Sequence, residues 1–246
     1  MRRFADTIPL IAAPPEGIGR GIATEGATVV FTYASSKAGV GQVVADLVRG
    51  NGKAVAIHAD VAKDHDVVRL VQEIRQKSGR LGVLVNSAGL YSMAPRDHQS
   101  ASESNRHFET NVLELLFVTR EAARSFPATV ASIANINSAI RKFALPGAVI
   151  YVATNGAVDP ITEASAEELA PEKIRVNSAN PGVEETEDTQ SAGSADGELE
   201  AQALAMTPLG RIRGPDDIGP ALALLASGEA SWIIGETLVV SCGMGM

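Results

Sequence analysis

Three side chains have the types and spacing to handle a proton on a carbonyl oxygen. Tyr151 and Asn155 stand four positions apart, which stacks them on one face of a helix. Ser138 lies thirteen positions before Tyr151, at the end of an apolar run from Val130 to Ile136 that reads as a strand. A hydroxyl at a strand end and a phenol at a helix start can hold a carbonyl oxygen and exchange a proton with it. The partner one turn later is an amide, which can hydrogen-bond a hydroxyl but carries no charge. A phenol with the ordinary pKa near 10 is only about one part in a thousand ionised at neutral pH. The nearest cations in sequence, Arg141 and Lys142, follow Ser138 in a loop and are expected at the cleft mouth, solvated.

The elements that must position these groups alternate. Residues 28–33, 54–58, 83–86, 130–136, 174–177 and 237–240 read as short β-branched strands. Between them, Val67, Leu70, Val71 and Ile74 form one apolar helical stripe. Gly50-Asn51-Gly52 stops a helix before the third strand, and Pro215-Asp216-Asp217 opens the last one. Such alternation predicts an α/β protein: a parallel sheet covered on both faces, with ligands bound beyond the carboxyl ends of its strands. No repeat or linker interrupts the chain, so residues 1–246 are expected to form a single domain. Glu184 to Gly197, rich in Glu, Ser, Thr and Gly, reads as the loosest stretch, either a lid or a plain loop.

Gly17-Ile18-Gly19 follows the first apolar run and precedes a helix, where backbone could approach a pyrophosphate. Pro14 and Pro15 remove donors from that turn, and Glu16 adds an unfavourable negative charge. Pro9 falls where a central strand is expected and cannot donate to a ladder. The second strand ends in Tyr33-Ala34-Ser35-Ser36-Lys37, with no carboxylate for ribose hydroxyls. Hydroxyls and a lysine suit a 2′-phosphate better, which favours NADP over NAD; a solvated polar loop is the alternative. Pro160 should lie inside the helix of Tyr151, with Gly156 placed to relieve the clash.

Taken together, these motifs resemble the short-chain dehydrogenase/reductase family, and its 3-oxoacyl reductase branch, from about Ile8 to Gly243. The resemblance implies a Rossmann-like doubly wound sheet and hydride transfer between a nicotinamide cofactor and a carbonyl or alcohol carbon. Ser138 and Tyr151 match the family's serine and tyrosine; Asn155 replaces its lysine, and Asn111 matches the helix asparagine of its proton relay. Ala12 to Gly19 keeps the last two glycines of the family's T-G-x-x-x-G-x-G loop. Asp60-Val61 resembles the adenine-contacting pair, although a simple N-cap aspartate reads as well. Asn86-Ser87-Ala88-Gly89 resembles N-N-A-G, and Pro181-Gly182 with Thr186 resembles P-G-x-x-x-T beside the nicotinamide. The family commonly assembles as dimers or tetramers, partly through the helix of Tyr151.

Composition narrows the remaining classes. A formal net charge of −8 with scattered basic residues argues against nucleic acid or an anionic membrane as partner. The single cysteine, Cys242, allows no internal disulfide and suggests a reducing, cytoplasmic setting. His58, His65, His98 and His107 show no metal spacing and read as solvated or capping groups. The sequence thus points to an NADP(H)-linked carbonyl or alcohol oxidoreductase with impaired catalysis, acting on a small molecule. The alternative is an inactive protein of the same fold that binds or assembles. Tyr91, Met93, Phe143 and the loop after Gly182 are expected to line the pocket but specify no substrate.

Overall fold

A computed structural model describes residues 8–12, 28–34, 37–50, 52–78, 81–87, 89–129, 131–142, 145–182, 204–211, 214 and 217–244. The strands are β1 (Ile8–Ala12), β2 (Thr28–Tyr33), β3 (Lys53–His58), β4 (Leu81–Asn86), β5 (Ala131–Ile136), β6 (Ile174–Pro181) and β7 (Thr237–Val240). The helices are α1 (Lys37–Arg49), α2 (Asp64–Ser78), α3 (Ala101–Phe108), α4 (Glu114–Ala123), α5 (Val149–Leu169) and α6 (Gly219–Ala226). All seven strands are parallel, in the order β3-β2-β1-β4-β5-β6-β7. The chain therefore winds outward from β1 in one direction and from β4 in the other, and the reversal between β1 and β4 opens a crevice at the carboxyl ends.

Alternation along each strand divides the core between the two faces. Ile11, Val29, Phe31, Val83 and Val85 meet Leu47 of α1 and Leu222 of α6. Their neighbours Leu10, Val30 and Leu84 face the other way, against Val67, Leu70 and Ile74 of α2 and Val118 of α4. The stripe read from the sequence of α2 is thus its buried face. Each such large apolar side chain removed from water contributes about 1.5–3 kcal/mol.

Pro9 does sit in a central strand. The register between β1 and β4 slips there, Ile8 pairing with Leu81 and Pro9 with Val83, so the irregularity falls at the residue that lacks a donor. Helix α1 closes as expected: Gly50 N–H donates to Asp46 O and Gly52 N–H to Leu47 O. Helix α6 begins only at Gly219; Asp217 instead takes Gly214 N–H on its carboxylate and pairs with Arg211 through two 2.6 Å bonds. Pro160 lies within α5, and both it and Gly156 are exposed. The carbonyl that proline leaves without a donor therefore faces solvent, where water can satisfy it.

Candidate active site

Strand β5 and helix α5 bring Ser138 and Tyr151 to the same edge of the sheet. Ser138 follows the end of β5, where its Oγ accepts Ile140 N–H at 3.2 Å. Tyr151 occupies the first turn of α5. Asn137 ties the two elements together, its Nδ2 donating to Asn155 O at 2.8 Å and to Asp159 Oδ1 at 3.0 Å. The neighbour of Ser138 is thus bonded to the residue one turn below Tyr151.

Asn155 is buried and folds back on its own helix, Nδ2 donating to Tyr151 O at 2.7 Å. Thr154 Oγ donates to the same carbonyl at 2.8 Å. Asn111 then completes a chain: its Nδ2 donates to Thr154 Oγ1 at 3.0 Å and to Leu90 O at 3.0 Å, while its Oδ1 accepts Leu90 N–H at 2.6 Å. Asn111 sits in a π turn, Glu109–Leu113, where Glu114 N–H reaches back five residues to Glu109 O. Such turns interrupt the regular ladder and recur at functional sites. The side chain of Asn111 therefore clamps the strand exit after β4 and braces the backbone that carries Tyr151.

Below this lies a polar layer that the motifs did not reveal. Asp159 is two turns beyond Tyr151 on the same face, and its Oδ1 accepts from Asn137 and, at 3.4 Å, from Asn180 of β6. Asn86 Nδ2 donates to Thr119 Oγ1 and to Asn135 Oδ1, and Asn135 Nδ2 donates to Thr162 Oγ1. These bonds lace β4, β5, α4 and α5 together. The four-residue steps from Tyr151 to Asn155 to Asp159 could have flagged Asp159 in the sequence.

The other expected cofactor contacts divide. Asp60 closes a turn ahead of α2, its Oδ1 accepting Ala62 N–H and its carboxylate pairing with Lys63 at 2.9 Å, while Val61 is buried. Pro181 ends β6 beside Val240, and Gly182 N–H donates to Val240 O. A Cβ on Gly182 would lie 3.1 Å from Ser241 Cα, so any other residue would push the two backbones apart by a few tenths of an ångström. Gly89 follows directly in the strand exit. Gly17, Ile18, Gly19, Ser35, Ser36, Ala88, Thr186, Phe143 and the stretch from Glu184 to Gly197 lie outside the described residues, as do the side chains of Arg141 and Lys142.

Among the described residues, two buried side-chain oxygens at this edge have no donor, Asn86 Oδ1 at the end of β4 and Asn137 Oδ1 after β5. Buried acceptors are rarely left unmatched. Both stand where a sheet of this winding takes a nucleotide, and both suit a ligand that brings hydroxyl and amide donors, as a nicotinamide dinucleotide does. At the other end of the crevice, Glu114 is buried, and burial, then the charge of Asp60, raises its pKa well above the ordinary value.

Tyr91 stands across from the catalytic candidate, its ring edge-on to that of Tyr151 at 5.0 Å and 85°. Burial, then the Tyr151 phenol, raises the Tyr91 pKa, so this second phenol is neutral at neutral pH. His107 overturns the solvated reading: its ring is fully buried, with Nδ1 3.0 Å from Glu103 O and Nε2 3.2 Å from Ser92 Oγ.

Residues 12–245 match the family model described as enoyl-(acyl carrier protein) reductase. The chain is 40% identical to an uncharacterized oxidoreductase of Methylorubrum extorquens, over 99% of this chain and all of that one. It is 37% identical to the cyclopentanol dehydrogenase of Comamonas testosteroni, over 99% of this chain and 98% of that one. Among solved structures, a short-chain dehydrogenase/reductase from Serratia marcescens superposes with a TM-score of 0.91 at 28% identity, covering 99% of this chain and 100% of that one.

Proposed function

The chain belongs to the short-chain dehydrogenase/reductase family of NAD(P)-using oxidoreductases, and from that membership we propose that it is an NADP(H)-linked reductase of small ketones with slowed proton transfer. The observation that carries the reading is the bonded frame around Tyr151. Thr154 and Asn155 both donate to its carbonyl, Asn111 donates to Thr154, and Asn137, next to Ser138, bonds to the same helix. A frame of this kind supports a Tyr151 phenol held at the sheet edge that carries Ser138, the pair of groups that carbonyl reduction needs.

In this reading, Ser138 Oγ donates to the substrate oxygen, and Tyr151 delivers the proton that converts a carbonyl to an alcohol. A bound nicotinamide supplies the hydride. Asn155 stands where the family has lysine, and its Nδ2 is spent on Tyr151 O, leaving the Oδ1 acceptor for a ribose hydroxyl. Asn155 gives the phenolate no ammonium, and each pKa unit that one would have supplied corresponds to about 1.4 kcal/mol. Turnover is slowed on that account. Tyr33-Ala34-Ser35-Ser36-Lys37, lacking a carboxylate, supports NADP over NAD. The relative that acts on cyclopentanol supports an alicyclic ketone or alcohol as substrate. Exposed Leu113, Leu116 and Val149, beside and on α4 and α5, support self-association as a dimer or tetramer.

The test is NADPH oxidation with cyclopentanone, run for the wild-type chain and for Tyr151→Phe. Slow, saturable turnover that falls by about a hundredfold or more in the variant is expected. Equal rates in the two proteins would remove Tyr151 from the chemistry and refute the reading.

A further inference from the structure

Strands β2 and β3 run in register to their carboxyl ends, where Tyr33 pairs with His58. Residues paired in this way share a face of the sheet, and Tyr33 stands two positions beyond Phe31, which packs with Leu47 of α1. The His58 side chain therefore lies on the α1 face, at the edge strand of the sheet. It is exposed, and its ring stands edge-on to that of Tyr33, with centroids 5.3 Å apart at 66°. Its Nε2 lies 3.2 Å from the carbonyl oxygen of Ala34, the first residue after β2. A carbonyl only accepts, so Nε2 carries a hydrogen and Nδ1 is the nitrogen left to gain or lose a proton. Ala59 N–H donates to Tyr33 O at 3.0 Å and ties the same two strand ends together. One ring and one carbonyl thus hold the imidazole at the exit of β2.

The charged groups around it divide by face. From α2, on the other face, Arg69 Nη2 donates to His58 O at 2.9 Å and to Asp66 Oδ1 at 3.1 Å, while Asp66 Oδ2 accepts Asp60 N–H at 2.9 Å. Asp60, two residues beyond His58, pairs with Lys63 at 2.9 Å. On the α1 face stand the Tyr33 phenol and Lys37, the first residue of α1, whose first turn holds no acid.

In a sheet of this winding, the ribose 2′ position of a bound dinucleotide lies at the end of the second strand. We propose that His58 is a specificity-determining residue that makes the choice of NADP(H) over NAD(H) depend on pH. The inference rests on the dinucleotide reading and concerns which nucleotide that crevice takes. Histidine is the side chain that changes charge between about pH 5 and pH 8. With both nitrogens protonated, the ring sets a positive charge beside a 2′-phosphate; with one, it sets only a dipole. A free 2′-hydroxyl offers no charge for the ring to meet. Acid therefore favours the phosphorylated cofactor through His58, and base removes that advantage. Carbonyl reduction consumes a proton, so cofactor choice follows the condition that drives the reaction. The ring is exposed, and the effect is about two- to fivefold in affinity, the scale of a surface ion pair.

The experiment is a fluorescence titration of NADPH and NADH at about pH 6 and about pH 8, with the wild-type chain and with His58→Gln. It reads the ratio of the two dissociation constants, NADH over NADPH. The 2′-phosphate itself gains charge across this range, near a pKa of about 6, so the two proteins are compared at each pH. The wild-type ratio should exceed that of His58→Gln by about two- to fivefold at the lower pH and match it at the higher. His58→Asp, which sets a carboxylate there, should bring the ratio below that of His58→Gln at both. Equal ratios for wild type and His58→Gln at both pH values overturn the proposal. A difference that persists unchanged at the higher pH also overturns it, because a neutral ring would then suffice. Equal weakening of NADPH and NADH in His58→Gln makes the residue a packing group and overturns it as well. Emission unchanged for both nucleotides in the wild-type chain would refute the dinucleotide reading, and this assignment with it. Saturable binding with any of the other contrary results would refute the assignment alone.

Discussion

In the proposed reading, Asn155 sets how well Tyr151 can work. Its amide bonds to the helix carbonyl four residues back, so the position that would carry an ammonium carries a dipole turned inward. Asn155→Lys should raise kcat with NADPH by about tenfold or more, the value of one restored pKa unit. Steady-state rates at saturating cofactor check this, and an unchanged kcat would locate the limit elsewhere. Glu114 makes a second prediction at this scale. Burial and Asp60 raise its pKa above the ordinary value of 4.5, so the folded chain keeps a proton that the unfolded chain has released. The folded state then binds more protons, and stability falls as pH rises above the ordinary glutamate range. Glu114→Gln removes that fall: its urea midpoint should exceed the wild-type value by more at about pH 8 than at about pH 4. A constant difference between the two pH values would show that Glu114 ionises normally.

The elements show what the sequence made legible. Alternating strand and helix patterns were enough to place the sheet, because periods of two and 3.6 follow from backbone geometry alone. The placement of Ser138 and Tyr151 at one edge of the sheet, with Asn111 beside their helix, was legible because motif spacing survives in them. Asn137 and the burial of His107 were not, because what defines them is contact between elements far apart in the chain. A histidine reads as solvated until α3 and the segment after β4 are seen to enclose it. Arg175 is a parallel case. It looks like an outward strand residue, yet it is buried, and its guanidinium donates to Leu225 O at 2.9 Å and Ser227 O at 2.8 Å, at and just beyond the end of α6. Burial lowers its pKa, but three carbonyls, with Ile233 O the third, compensate the charge. Arg175→Met should cost about 1–3 kcal/mol, chiefly by leaving Ser227 O unmatched, since Leu225 O and Ile233 O keep Ser132 Oγ and Asn177 Nδ2 as donors. Chemical denaturation measures it, and a loss within about 0.5 kcal/mol would mean the carbonyls find water.

At the scale of the molecule, the fold and the site answer different questions. A seven-stranded parallel sheet with its winding reversed between β1 and β4 presents a nucleotide crevice whatever the loops contain. The site then depends on how far the altered residues preserve that crevice. Asn86 Oδ1 and Asn137 Oδ1, buried without donors among the described residues, are acceptors that the proposed dinucleotide would match. A ligand that binds only the folded chain, present at a hundred times its Kd, stabilises it by about 2.7 kcal/mol. The most direct test of the central claim is a fluorescence titration of NADPH with the wild-type chain, with NADH titrated in parallel. The account predicts a saturable change in nicotinamide emission, at lower concentration for NADPH than for NADH. Emission that stays unchanged for both dinucleotides would contradict it.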